Sequence, residues 1–186
     1  MKAIEGSRVT FSEQEFRKTL GLFPTGVVIV TTLTAAGERL GITVSSFNSV
    51  SLAPPLVLFS IARSAYGLPA WAQAQSYAIN VLSETQDGLS TRFAKSLADK
   101  WNAITPLAGE TGAPILANAL AAFECVPYAH YDGGDHLIMV GRVVAIRRMD
   151  MAGRRPLIFC GGRYRCLDLD EPELTPSEDS LWLHGW

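Results

Sequence analysis

Hydrophobic and polar positions alternate along the chain in a pattern that predicts mainly β-strands. Short runs rich in Val, Ile, Leu and Phe are separated by Gly, Pro, Asn and Asp, as is typical of strands joined by turns. Asp-Gly-Gly-Asp at 132–135 predicts a hairpin turn, because glycine adopts positive φ at little cost. The predicted strands cover 25–34, a segment from the turn at 35–38 to Thr43, 56–61, 77–82, 121–131, 136–147 and 156–167, the last interrupted at Gly161-Gly162.

Three short helices are predicted beside these strands. Ser12 and Glu15 have the spacing of a capping box, and the helix that they begin ends before Pro24. An Ala-rich segment at 64–75 predicts the second helix. The third is predicted over 86–98, with Ser90 as its candidate N-cap.

The order of these elements favours a mainly β fold. About six strands, a few peripheral helices and no regular alternation of strand and helix predict a closed antiparallel, Greek-key-like barrel rather than a parallel sheet. The chain has no G-x-G-x-x-G motif after a strand. Any dinucleotide is therefore expected to bind in another way than in a Rossmann fold.

The composition indicates one domain with a surface for a second subunit. The chain has 186 residues, of which 48% are hydrophobic and only 18% charged, less charge than a typical soluble protein carries. We therefore expect another subunit to cover apolar surface. The domain is predicted over 12–167, with an N-terminal arm at 1–11 and an acidic, proline-containing tail at 168–186.

Charge, hydropathy and cysteine content exclude several classes of protein. A net charge of −2 argues against a nucleic-acid binder, which needs a basic face. No stretch reaches the length of a membrane span and no apolar leader is recognisable, so the sequence predicts no membrane association and a cytoplasmic location. Three cysteines without C-x-x-C spacing and three scattered histidines predict neither a disulfide framework nor a metal site.

The most informative segment for function is the polar run at 41–55. Between Thr43 and Ser51, six of nine residues are Ser, Thr or Asn, and the apolar strand 56–61 follows. Short hydroxyl and amide side chains beside a core strand suit a flat polar ligand laid along the backbone. The alternative is a Ser-rich loop that caps strand ends and bonds to itself.

Other candidate residues also have two interpretations. His136, at the exit of the hairpin turn, is either a ligand contact or a surface turn residue. Arg63-Ser64 is either an anion site at a helix start or an N-cap with a solvated arginine. Tyr164 is either a stacking aromatic or a plain strand residue. No catalytic triad or carboxylate pair is recognisable, so a cofactor would carry the chemistry.

Several segments together resemble the short-chain flavin reductase family, which comprises the reductase partners of two-component flavin monooxygenases. The resemblance runs in order over roughly residues 12–167 and depends on the sum of its motifs, since each motif alone is weak. The matching segments are Phe23-Pro24-Thr25-Gly26-Val27, 41–55, Asn80-Val81-Leu82, 90–94, Asp99-Lys100-Trp101, Gly112-Ala113-Pro114, 132–136, Gly141-Arg142-Val143, 156–159 and Gly162-Arg163-Tyr164.

The resemblance implies an FMN-binding split barrel that forms a homodimer with the flavin near the subunit interface. It implies an NAD(P)H:flavin oxidoreductase that reduces FMN or FAD with NADH or NADPH and passes the reduced flavin to a separate monooxygenase. Two alternatives stay open: a flavin-binding electron carrier or redox sensor without NAD(P)H turnover, and a split barrel that serves only assembly and binds no flavin.

The resemblance also assigns the site residues. It places His136 and Tyr164 beside the nicotinamide, with His136 as the catalytic residue. The polar run would contact the flavin ring and ribityl chain, and the segment 60–66 would hold the phosphate end with help from the third helix. The residues that would bind the flavin are Thr43, Val44, Ser45, Ser46, Phe47, Asn48, Ser60, Ile61, Ala62, Arg63, Ser64, Arg92, Phe93 and Lys95.

Overall fold

The computed structural model describes residues 10–96, 99–149 and 153–167. Most of the predicted arm at 1–11 and the whole tail at 168–186 lie outside the described residues, and these domain bounds stay predictions. The three helices are α1 (Glu13–Leu20), α2 (Leu68–Ala72) and α3 (Asp87–Ala94). The ten strands are β1 (Thr25–Gly26), β2 (Val28–Leu33), β3 (Arg39–Val44), β4 (Asn48–Leu52), β5 (Pro55–Ala62), β6 (Tyr77–Val81), β7 (Ala121–Gly133), β8 (His136–Arg148), β9 (Ile158–Cys160) and β10 (Arg163–Arg165).

The strands form two antiparallel sheets. The larger sheet has the order β3-β2-β6-β7-β8-β5-β4, and the smaller has the order β1-β9-β10. The prediction of a mainly β fold with a few helices is therefore confirmed. The predicted closure of the sheet into a barrel is not confirmed, because no hydrogen-bonded pairing joins the edge strands β3 and β4 in the described part of the chain.

The two edges of the large sheet nevertheless lie close together. Seven strands about 4.8 Å apart would separate the edges of a flat sheet by about 29 Å. The chain crosses from Val44 at the end of β3 to Asn48 at the start of β4, and these four residue steps span at most about 14 Å. The sheet must therefore curl strongly around its core.

Two groups of buried side chains stabilise this curled sheet. The larger group lies inside the curl and draws residues from β2, β5, β6, β7 and β8, including Val30, Phe59, Ile79 and Met139. The second group packs α3 and the segment before β9 against the outer side of β2, through Ile29, Leu82, Phe93, Leu116 and Leu157. This second group fixes the position of α3, which forms one wall of the candidate site.

The strand and turn predictions hold with several corrections. The hairpin turn at 132–135 is confirmed. The predicted strand 25–34 is divided at Val27, whose N–H donates to the carbonyl oxygen of Leu157 instead of to a strand neighbour. The predicted strand 156–167 is two short strands, β9 and β10, because Gly161 and Gly162 adopt positive φ and form a turn. Strand β4 lies in the polar run and was not predicted.

The helix predictions need similar corrections. The capping box of Ser12 and Glu15 is confirmed at the start of α1. The helix predicted over 64–75 is only the five residues of α2. Ser90 is wrong as an N-cap, because it lies fully buried in the middle of α3. The capping box before α3 instead joins Ser83 and Gln86.

The described residues can be searched for a membrane-spanning helix, a metal cluster and disulfides. They contain no helix long and apolar enough to cross a membrane. They also contain no cluster of three or more His, Cys, Asp or Glu side chains suited to a metal ion. Cys125, Cys160 and Cys166 are free thiols. The cytoplasmic location stays a prediction.

Candidate functional site

Several side chains of the polar run bond within the protein. The Thr43 hydroxyl donates to the carbonyl oxygen of Ser90 at 2.7 Å. The Ser46 hydroxyl accepts the N–H of Ser60 at 2.9 Å, and the Asn48 side chain accepts the N–H of the next residue at 2.9 Å. These contacts hold the bend between β3 and β4 against β5 and α3. The self-bonding interpretation of the run therefore applies to these three side chains.

The same bend also forms one wall of an open cleft, which we call the hydroxyl cleft. It lies between β3, α3 and β10 and has a volume of about 170 Å³. Ser45 is exposed and contributes a hydroxyl that is not needed to hold the bend. The cleft is lined by Val27, Thr43, Val44, Ser45, Ser90, Ala94, Phe159 and Tyr164.

Tyr164 fixes the far wall of the hydroxyl cleft. Its hydroxyl donates to Ser90 Oγ at 2.9 Å and accepts from Thr91 Oγ1 at 3.5 Å. Its ring packs edge-on against Phe159, with ring centroids 5.7 Å apart. Together with the bond from Thr43, these contacts join β3, α3 and β10 through Ser90. The cleft is thus a rigid, mainly apolar slot with an aromatic wall and the Ser45 hydroxyl at its edge, a form suited to a flat ring.

A second group of predicted residues meets at the hairpin between β7 and β8. Arg63 follows β5, its N–H donates to Asp135 O at 2.8 Å, and its guanidinium donates to Gly134 O and to the Asp132 carboxylate, both at 2.8 Å. The hydrogen bond from Arg63 lowers the pKa of Asp132, with smaller contributions from the Gly134 N–H and the guanidinium charge. Arg63 therefore ties the end of β5 to the turn that precedes His136.

His136 occupies the first position of β8, beside this turn. Its Nδ1 lies 2.7 Å from the Asp135 carboxylate. That hydrogen bond, together with the charge of the imidazole when protonated, lowers the pKa of Asp135. An ionised Asp135 fixes the ring orientation and leaves Nε2 as the nitrogen for a ligand. The pair is exposed on the surface, and the role of His136 as a ligand contact stays a prediction.

A third feature adjoins the hydroxyl cleft at Ala94 and includes one predicted residue, Lys95. We call it the basic cleft; its volume is about 230 Å³. Three cations, Arg39, Lys95 and Lys100, line it beside Tyr66 and Trp101. Lys100 donates to Gly41 O at 3.0 Å and to Phe93 O at 2.9 Å, and burial lowers its pKa. The pairing of Lys100 and Trp101 inside a matching motif was the available sequence signal for this cleft.

The structure brings only part of the predicted site together. Phe47 and Asn48 line a different feature, an apolar groove of about 300 Å³ along β4 and β5. Ile61 and Phe93 are fully buried, so neither residue is accessible to a ligand in this arrangement. The Arg92 guanidinium donates to the Asn102 carbonyl oxygen on the surface at 3.0 Å.

The predicted helix start at Arg63-Ser64 is wrong. The helix begins at Leu68 with Gly67 as its N-cap, because the chain first turns after β5. Ser64 is exposed in that turn. A phosphate contact by Arg63 or Ser64 stays a prediction, without support from a helix terminus.

Comparison with known proteins gives a consistent match. The model of the family described as "Flavin reductase like domain" matches residues 20–168. The FMN reductase (NADH) SmoA of Agrobacterium fabrum is 42% identical over 153 residues, which cover 82% of this chain and 85% of SmoA. The stachydrine N-demethylase reductase subunit Stc3 of Rhizobium meliloti is 39% identical over 77% of this chain. The chain spans only 62% of the length of Stc3.

Solved structures have the same fold. The NADH:FAD oxidoreductase SgcE6 of Streptomyces globisporus, in complex with NAD and FAD fragments, matches with a TM-score of 0.79 at 36% sequence identity. The match covers 86% of this chain and 94% of that one. The curled sheet and its helices therefore have a counterpart in a protein whose structure was solved with NAD and FAD fragments.

Proposed function

The chain belongs to the family of flavin reductase-like domains, and we propose that it is an NAD(P)H:flavin oxidoreductase. It reduces FMN or FAD by hydride transfer and supplies the reduced flavin to a separate monooxygenase. The hydroxyl cleft is the observation that carries this proposal, because it joins a rigid slot with an aromatic wall to a neighbouring set of cations. Relatives named as NADH-dependent reductases of FMN and of FAD support the same reaction.

The residues of the hydroxyl cleft fit a flavin ring. Hydride transfer from a reduced nicotinamide needs two flat rings held face to face at about 3–3.5 Å, and the flavin itself supplies the accepting atom. In the proposed site, Thr43, Val44 and Ser45 border the ring, and exposed hydroxyl and N–H groups stabilise the negative charge that builds on its heteroatoms. Tyr164 and His136 border the nicotinamide. No protein nucleophile is required.

The phosphate end is assigned to the end of α3. Lys95 lines the basic cleft next to Ala94, which also lines the hydroxyl cleft. A cation at this point lies where the ribityl chain of a flavin in the hydroxyl cleft would end. Arg63 is already engaged by Asp132 and Gly134, so we assign it chiefly to positioning the turn before His136.

The homodimer is proposed from surfaces that the single chain leaves exposed. Helix α1 has eight residues and buries none of them, and such a short helix is not stable in water without packing. Phe16 and Leu20 on α1 are 50% and 56% exposed, and Leu52 beside the apolar groove is 71% exposed. A second copy that covers these surfaces would complete the barrel family's usual assembly and agrees with the low content of charged residues.

Sedimentation velocity tests the dimer. We expect a mass twice that of the 20.1 kDa chain at micromolar concentration, because apolar surface of this kind favours association. Leu52→Asp should shift the distribution towards single chains while the far-ultraviolet circular dichroism stays unchanged. A wild-type protein that sediments as a single chain at assay concentrations would contradict the homodimer.

The proposed activity is tested with purified protein, NADH or NADPH, and free FMN or FAD. We expect loss of NAD(P)H absorbance that depends on added flavin, at a rate well above the uncatalysed exchange. An electron carrier or redox sensor would bind flavin, detected by its absorbance after reconstitution and desalting, but would not oxidise NAD(P)H. A barrel that serves only assembly would acquire no flavin absorbance. Either result would refute the proposed reductase.

A further inference from the structure

Ser90 is a polar residue at a position where the helix itself does not require one. It lies in the middle of α3 and is fully buried, and it belongs to the wall of the hydroxyl cleft. Serine forms helices less well than alanine, and a buried hydroxyl costs free energy unless it is hydrogen-bonded. Alanine would therefore suit this position of α3 better, and the hydroxyl needs another explanation.

The side chain and the backbone of Ser90 make two separate connections. The Ser90 hydroxyl accepts the hydrogen bond of the Tyr164 hydroxyl at 2.9 Å, which joins α3 to β10. The Ser90 carbonyl oxygen accepts the hydroxyl of Thr43 at 2.7 Å, which joins α3 to β3. Only the connection to β10 depends on the serine side chain.

The hydroxyl bond is important for the aromatic wall because the rest of β10 is weakly held. Strand β10 has three residues and lies at the edge of the small sheet, where it pairs only with β9 in the described part of the chain. Such a short edge strand is not rigid by itself. The Tyr164 ring packs edge-on against Phe159, and the bond to Ser90 fixes its other end. The contact with Thr91, at 3.5 Å on the surface, is too long to replace that bond.

We propose that Ser90 is a positioning residue for hydride transfer, which acts through the Tyr164 hydroxyl by fixing the aromatic wall of the hydroxyl cleft. The proposal rests on the proposed function, in which Tyr164 borders the nicotinamide. A wall that can tilt lets the nicotinamide move relative to the flavin, and the rate of transfer depends steeply on the distance and alignment of the two rings.

Ser90→Ala removes the bond to Tyr164 and leaves the carbonyl oxygen that binds Thr43. In stopped-flow reduction of the FMN-loaded protein, the limiting rate at saturating NADH should fall about tenfold, while the dissociation constant of FMN stays within about threefold of wild type. The midpoint of urea unfolding should stay close to that of wild type, because better helix propensity offsets the lost hydrogen bond. An unchanged limiting rate would overturn the proposal.

Tyr164→Phe removes the same hydrogen bond from the other side and leaves α3 unaltered, so its result does not depend on how Ser90→Ala folds. It should lower the limiting rate by the same factor. The double variant should lose no more than either single variant, because both changes delete one interaction. Losses that multiply in the double variant would show that the two hydroxyls act separately, and they would overturn the proposal.

Ser83→Ala is the matched control. Ser83 is also a fully buried serine, but its hydroxyl lies near Thr85 and Gln86 in the capping box before α3, outside the cleft. Ser83→Ala should lower the urea midpoint, since a helix cap is lost, and should reduce flavin at the wild-type rate. A rate as low as that of Ser90→Ala would attribute the loss to general loosening and would overturn the proposal.

Amide hydrogen exchange of β10 measures the wall without any redox reaction. Ser90→Ala and Tyr164→Phe should each raise the exchange rate of residues 163–165 about tenfold, and Ser83→Ala should not. Unchanged exchange in the first two variants would overturn the proposal. Failure of the proposed function is distinguishable, because wild-type protein would then oxidise no NAD(P)H, whereas exchange in β10 would still increase in both variants.

Discussion

Gly41→Val is expected to lower the free energy of unfolding by about 1–3 kcal/mol, the usual cost of overpacking a core. Gly41 is buried in β3, and a Cβ there would lie 2.3 Å from Phe93 Cε1 and 2.5 Å from Cδ1. Phe93 cannot swing away easily, since it is fully buried and packed against Trp101. Helix α3 would have to move away from β3. Urea unfolding followed by circular dichroism measures the loss.

The same change should weaken flavin binding by roughly a hundredfold, equivalent to about 2.7 kcal/mol. Moving α3 breaks the bond from Thr43 to Ser90 and the bond from Tyr164 to Ser90, both of which shape the hydroxyl cleft. It also shifts Lys95. A fluorescence titration with FMN measures this loss under conditions in which the variant is still folded.

Gly26→Val is the control for inserting the same side chain into a strand. Nothing lies within 4 Å of a Cβ at Gly26, so stability should stay within about 0.5 kcal/mol of wild type, as for most surface substitutions. A Gly41→Val protein with wild-type stability and wild-type FMN affinity would show that close packing of α3 on β3 is not needed for the site.

The strand content of the fold could be predicted because strands leave a local pattern. Buried runs such as β5 and β6 are mainly apolar segments between turn residues, and the hairpin at 132–135 has its own glycine signal. Strand β4 has no such pattern, since it lies at the sheet edge with exposed and half-buried residues alternating among serines. The curl of the sheet depends on which strands pair and which become its edges. No local segment of the sequence indicates this pairing.

The motif Asn80-Val81-Leu82 shows that a matching segment can serve the fold rather than the site. Asn80 is fully buried; its amide donates to Ile29 O, Thr31 Oγ1 and Ala78 O, and its carbonyl accepts the Leu116 N–H at 2.8 Å. The residue therefore joins β2, β6 and the segment before β7. Its role is structural, because a buried amide with all its partners stabilises the fold and contacts no cleft.

The candidate site was predictable in composition but not in arrangement. The hydroxyl-rich run was recognisable, but sequence could not say that Thr43 and Ser46 bond inwards while Ser45 faces the cleft. Of the cations in the basic cleft only Lys95 was predicted, because Arg39 lies far away along the chain in β3 and Lys100 lies in the turn after α3. Each of them alone looks like a solvated surface charge.

His136→Ala is expected to lower kcat/KM for NADH by about ten- to a hundredfold. Asp135 holds Nδ1 at 2.7 Å, and the contacts of Arg63 with Gly134 and Asp132 fix the turn before the imidazole. These contacts hold the imidazole in one position beside the turn. In the proposed role it positions the nicotinamide, and the loss is moderate because hydride transfer needs no obligatory proton acceptor.

Stopped-flow reduction of the flavin-loaded protein by NADH measures this effect directly. The flavin dissociation constant of His136→Ala should stay within a few-fold of wild type, since a residue that positions the nicotinamide changes the reduction step and not flavin binding. His130→Ala is the matched control, because His130 is exposed on the neighbouring strand β7 and pairs with Met139 rather than with the turn; it should reduce flavin like wild type. If His136→Ala reduces flavin with the wild-type rate and the wild-type dependence on NADH, His136 is only a turn residue, and the nicotinamide must be positioned by Tyr164 and the walls of the hydroxyl cleft.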